Sequence, residues 1–224
     1  MYLRSLWVLT SKDLAVEFRT KTLFVSAVTF AFLLLVLLGF SVSGWSMYEV
    51  HSLPSVLWVL IFIAGYLGLN RQDDKERWDG ALLGALMAPM DRSVIFYARV
   101  LSNTLFMLLV ELVLVPMFML VLRQSVPQVP MLFILATLLC TLSFMALGTF
   151  LTSVASASNL REIVVPILLF PLAIPLFLAV QTITQAVWYA SGLGLLTAWW
   201  AVLGGYAVLF LVLPGLLFEI LVEV

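Results

Sequence analysis

Long apolar runs alternate with short polar ones along this chain, and each apolar run is about as long as a helix needs to be to cross a lipid bilayer. The pattern predicts six transmembrane helices, over residues 22–43, 53–69, 94–122, 131–155, 163–187 and 196–221. Ahead of them, residues 1–21 mix Leu3, Leu6, Trp7, Leu14 and Phe18 with Arg4, Lys12, Arg19 and Lys21. That mixture is too polar to span and predicts an interfacial amphipathic helix. The longest polar stretch, residues 70–93, separates the second and third runs. Charged side chains crowd residues 71–77, and Asp79-Gly80 then opens a run in which Leu82, Leu83, Leu86 and Met87 share one helical face. This predicts a short amphipathic helix lying against something else. Pro89 closes it, because a residue before proline is pushed out of helical geometry, and Asp91 is placed to cap the next helix.

Composition turns the pattern into a class. The chain is 64% hydrophobic and 10% charged, with a mean hydropathy of +1.18, whereas soluble domains carry about 25% charged residues. The fold class is therefore an all-α integral membrane protein, a single transmembrane domain over residues 1–224 with no room for a nucleotide-binding fold. A net charge of −1 gives no basic field for nucleic acid. Cys140 is the single cysteine, which excludes an intrachain disulfide or a cysteine-based zinc cluster and reads as a small buried apolar residue. The first apolar run is a full span rather than a short signal-peptide core, so the N-terminal segment is expected to be retained.

Placement of the charges sets the orientation. With a cytoplasmic N-terminus and six spans, Arg4, Lys12, Arg19, Lys21, Arg71, Lys75, Arg77, Arg92, Arg99 and Arg161 fall on the inner side and Arg123 on the outer. Excess Lys and Arg inside is the rule for membrane proteins, so both termini and residues 70–93 are expected in the cytoplasm. Within the spans, Glu111 is costly unless it faces the bundle, a partner or water, which makes it a functional candidate beside a plain packing role. Pro116 interrupts the same span, and Pro166, Pro171 and Pro175 remove three backbone donors from the fifth, implying a bend, a hinge or a static kink. The fourth span is rich in small residues, Ser143, Ala146, Gly148, Thr149 and Ser153, which let helices approach closely. His51, beside Glu49, invites a ligand role, although one histidine without partners is more often a solvated loop residue.

Several chemistries are absent. Asn70, Asp73, Asp74, Glu76 and Asp79 form an acidic cluster of the kind that holds magnesium diphosphate in membrane prenyltransferases, but that chemistry needs two facing motifs and this chain has one. Arg71, Lys75 and Arg77 can pair with the same carboxylates. There is no GxSxG elbow and no P-loop lysine. No catalytic residue and no metal site is expected, and any ATP must be bound by another chain. A charged helix joined to two spans at once is a handle for a cytoplasmic motor, which favours the membrane subunit of an ATP-driven transporter.

In its N-terminal KDLAVEFR, in LNRQDDKERWDGALLGALMAP, in YARV and in FPLAIPL, in that order and spacing, the chain resembles the CcmB family of haem exporters. It departs from the family at Asn70 and Leu83, where acidic residues are common. The resemblance implies an ABC-2-like permease of the bacterial inner membrane working in cytochrome c maturation. It also implies a CcmA-like ATPase, holding ATP and magnesium, that contacts Arg71, Asp73, Asp74, Glu76, Asp79, Gly80, Leu82, Leu83, Leu86 and Met87. CcmC-like and CcmD-like membrane subunits and a periplasmic haem chaperone would complete the assembly, with haem as cargo or with release of the loaded chaperone as the task. The spans offer no histidine and no Met or Cys pair placed for axial ligation, so haem is expected to be held by a partner. Rival readings are an ABC exporter of lipid, polysaccharide or drug, and a purely structural assembly subunit. Glu111, Pro116, Pro171 and Pro175 are the candidate intramembrane positions.

Overall fold

The structure is a computed structural model that describes residues 2–42, 53–78, 92–155 and 161–221. All regular structure among them is helical: α1 (Tyr2–Thr20), α2 (Thr22–Val42), α3 (Leu53–Trp78), α4 (Arg92–Val121), α5 (Pro130–Ala155), α6 (Arg161–Tyr189), a single 3-10 turn (Leu193–Leu195) and α7 (Thr197–Leu221). Four of these, over Thr22–Ser41, Ser93–Val121, Pro130–Ala155 and Ile163–Tyr189, are long and apolar enough to cross a membrane. Two shorter apolar stretches, Leu53–Leu69 and Thr197–Val212, lie in α3 and α7. This is an all-α membrane protein.

Helix α5 is the centre. It packs against α3, α4, α6 and α7, and it can do so because its contact faces are made of small residues. Ser143, Ala146 and Gly148 are buried along it together with Thr141, Thr149 and Thr152. At the crossing with α3, Phe62 stacks on Phe144 with ring centroids 4.4 Å apart. A methyl group added at Gly65 would stand 2.8 Å from the Met145 methyl and 2.9 Å from the Phe144 ring, and one added at Gly148 would strike Leu69. Close backbone approach of this kind replaces the hydrophobic effect as the force that holds helices together in lipid.

Side-chain pairs fix the directions of the helices. Asn103 pairs with Thr149 and Glu111 with Thr141, so α4 and α5 are antiparallel. Ser55 with Gln185, Phe62 with Phe177 and Tyr66 with Phe170 set α3 antiparallel to α6. Gly39 of α2 lies against Val121 and Leu122, while Phe24 shares a cavity wall with Phe106 and Leu109, so α2 runs with α4. Successive helices from α2 to α6 thus alternate in direction.

Helix α1 packs chiefly on α4, and small polar residues rather than its tryptophan make the contact. Trp7 and Val8 are exposed, whereas Thr10 is fully buried and donates toward the Ala98 carbonyl at 3.5 Å and to its own Leu6 carbonyl at 2.9 Å. Asp13 accepts a hydrogen bond from Ser102 at 3.3 Å. Small polar side chains let α1 seat closely, and the indole of Trp7 is left exposed.

Candidate functional site

Two regions carry the chemistry that the sequence singles out. The first is the charged stretch after the second apolar run. Its beginning is helical: α3 continues without a break from the apolar Leu53–Leu69 through Arg71, Asp73, Asp74 and Glu76 to Trp78. Hydropathy ends at Leu69 but helix propensity does not, since Arg, Gln, Lys and Glu are good helix formers. The side chains of residues 70–78 lie outside the described set, as do Asp79, Gly80, Leu82, Leu83, Leu86, Met87 and Pro89 altogether. His51 and Glu49 also lie outside it.

The second region is a ladder of polar contacts inside the bundle. Glu111 on α4 is 2% exposed. Its Oε1 accepts a hydrogen bond from the Thr141 hydroxyl at 2.6 Å, and its Oε2 is buried without a hydrogen-bond partner among the described residues. Asn103 donates to the Thr149 hydroxyl at 2.9 Å. The two contacts are eight residues apart on each helix, about 12 Å along the axis. Between α3 and α6, Trp58 donates to Thr184 at 2.8 Å and Gln185 to Ser55 at 3.0 Å. A polar side chain surrounded by apolar ones is stable only when another polar group answers it, so each pair pins two helices in one register. Asn103, Thr184 and Ser55 carry no marking in hydropathy; the cue available was an amide or hydroxyl placed at matching depth in two spans.

The prolines occupy a third kind of position. Pro116, Pro171 and Pro175 all face outward, and α4 and α6 remain continuous helices through them. A proline deprives the carbonyl four residues back of its bond and loosens the next one. Neighbouring tyrosines answer two such carbonyls, one before Pro175 and one before Pro214, a further proline inside α7. Tyr206 on α7 donates to Leu172, three residues before Pro175, at 3.2 Å, and Tyr97 on α4 donates to Leu211, three residues before Pro214, at 3.0 Å. The sequence marks the prolines but not the tyrosines that serve them.

No group of three or more His, Cys, Asp or Glu side chains that could hold a metal ion occurs among the described residues. Cys140 is buried as a free thiol.

The family model of the CcmB protein matches residues 4–221, nearly the whole chain. The chain belongs to the CcmB family. No curated relative matches it. As a CcmB-family protein it is an integral membrane protein and the membrane subunit of an ABC-type haem exporter, a transport component of cytochrome c biogenesis rather than an enzyme. Membership also implies partnership with an ABC ATPase and with other Ccm components. In this CcmB-family chain the polar ladder pins pairs of helices in register, and α3 stays helical beyond its apolar run.

Proposed function

We propose that this protein couples ATP hydrolysis by a separate CcmA-like subunit to haem export, or to release of a haem-loaded periplasmic chaperone, by acting as a mechanical transmitter. In this reading the chain crosses the bacterial inner membrane six times, α3 and α7 included, with α1 and both termini on the cytoplasmic side. The ATPase docks on residues 70–89. Haem is held by a partner, and the CcmC-like and CcmD-like subunits contact this chain within the membrane.

The observation that carries the reading is the unbroken course of α3 from Leu53 to Trp78. A continuous helix is stiff, so displacement of its charged end is delivered directly to the crossing with α5 at Phe62, Gly65 and Leu69. Residues 79–91 join the same extension to α4, so a push there acts on two spans together. The prolines of α6 and the tyrosine-served carbonyls supply places where backbone hydrogen bonds can be exchanged as the bundle shifts.

Replacing Asp79-Gly80 by Ala-Ala, or Leu83 by Pro, tests the proposal. Both variants are expected to insert normally and to abolish cytochrome c maturation, with the ATPase still hydrolysing ATP. Wild-type maturation in both would overturn it. An ATPase-inactive partner that still supports maturation would instead identify a purely structural subunit, and a normal cytochrome c yield in a strain lacking this protein would point to another cargo.

A further inference from the structure

The outer flank of the bundle carries a cavity of about 370 Å³ where α1 turns into α2, inside the ~300–1,000 Å³ range of small-ligand pockets. Its walls are almost wholly apolar: Leu14 from α1, Phe24 from α2, and Phe106, Leu109 and Leu112 from α4. Leu112 is 71% exposed, so the cavity opens sideways, toward where lipid chains lie. Among the described residues two charged ones reach it, Glu17 and Lys21. Glu17 is already committed. Its Oε1 accepts the Phe24 backbone N–H at 3.0 Å, satisfying an orphan donor of the first turn of α2 and setting its negative charge against the positive end of that helix. Lys21 is exposed and has a left-handed backbone, φ 55°, closing α1 through its N–H to the Glu17 carbonyl at 2.7 Å. Lys12 and Arg19, also exposed, make the same helix cationic. An apolar slot open to the bilayer, with an ammonium at its interfacial end, matches an amphiphile with one acyl chain in the slot and a negative headgroup at the lysine.

We propose that the elbow between α1 and α2 binds one anionic glycerophospholipid of the surrounding bilayer, its acyl chain against Leu14, Phe24, Phe106 and Leu109 and its phosphate at Lys21. The lipid completes the packing between α1 and the bundle, filling a gap that the described side chains leave open. This site is separate from the ATP-coupled reading above and stands or falls without it.

The test is native mass spectrometry of the full-length protein, delipidated and then reloaded with palmitoyl-oleoyl phosphatidylglycerol or the corresponding phosphatidylcholine. Wild type is expected to retain one phosphatidylglycerol per chain in preference to phosphatidylcholine. Lys21→Gly suits the left-handed backbone and removes the ammonium together with its methylene stem, so it is expected to keep its helicity and melting temperature while binding phosphatidylglycerol about fivefold more weakly, the worth of one lysine at an anionic surface. Lys21→Arg is expected to keep the preference. Leu109→Trp, which fills the slot without altering charge, is expected to lose both lipids. Equal retention of the two lipids by wild type, or an unchanged phosphatidylglycerol affinity in Lys21→Gly or in Leu109→Trp, would overturn the proposal.

Discussion

At the scale of single residues, Asp13 is the position whose chemistry is most readily tested. Burial against α4 pushes its carboxyl above the ordinary value of 3.8, outweighing Lys12, the Ser102 hydroxyl and Arg99, all of which favour the charged form. A carboxyl whose value is raised in the docked state opposes docking when ionised. The opposition is full at neutral pH, eases as the pH falls through the raised value and is gone below 3.8. Docking of α1 on α4 should therefore tighten on mild acidification, seen as slower hydrogen exchange of the α1 amides after correction for the intrinsic rate. Asp13→Asn can still accept from Ser102, has no charge to desolvate, and should be protected at neutral pH to the level wild type reaches in acid. A parallel pH profile in both proteins would show that Asp13 does not govern the contact. Glu111 poses the related problem deeper in the bundle. Its candidacy was legible from the sequence, as an ionisable residue in an apolar run. Its partner Thr141 was not, because a threonine in a span is unremarkable until the fold places it 2.6 Å from a carboxylate.

Among elements, the crossing of α3 with α5 rests on two glycines that differ in what surrounds them. A methyl at Gly148 meets the end of one flexible side chain, Leu69, which can turn aside at the cost of an off-rotamer torsion, about 0.5–1.5 kcal/mol. At Gly65 it meets Met145 and the Phe144 ring together, and that ring is held in a stack with Phe62. Relief there requires the helices to part, about 1–3 kcal/mol for an overpacked core. Gly65→Ala should thus lower the thermal unfolding midpoint in detergent clearly more than Gly148→Ala does. The reverse order would mean that the α3 and α5 backbones are not in the register described. Small residues in the fourth apolar run signalled close packing in advance, but hydropathy alone does not say which helix lies against them. The same limit applies to α1, where an amphipathic reading points to Trp7, which is exposed, while Thr10 and Asp13 meet α4. Tertiary fit decides which face of such a helix is covered, and small polar residues with partners in reach win over a larger indole.

For the whole molecule, the helical class follows from long apolar runs that must satisfy their backbone bonds internally, and the alternation of direction from α2 to α6 is fixed by the side-chain pairs between the helices. What sequence could not reveal was that the second apolar run and the charged stretch after it share one helix. Apolarity stops at Leu69, yet the backbone bonds of α3 continue to Trp78, because Arg71, Gln72, Lys75, Glu76 and Arg77 are good helix formers. That continuity has a mechanical consequence distinct from docking. If the extension transmits force, softening it should break coupling without weakening the grip of the ATPase. Replacing Gln72 and Lys75, neither of them a named contact, by glycine costs the helix about 1 kcal/mol at each position relative to alanine, so the paired alanine variant is the control. The glycine pair should co-purify the ATPase as wild type does and lose most cytochrome c maturation, while the alanine pair retains it. Equal maturation in the two pairs would mean that stiffness of α3 is not what carries the signal. Loss of the ATPase from the glycine pair alone would mean that its grip on residues 70–89 requires the extension to be helical.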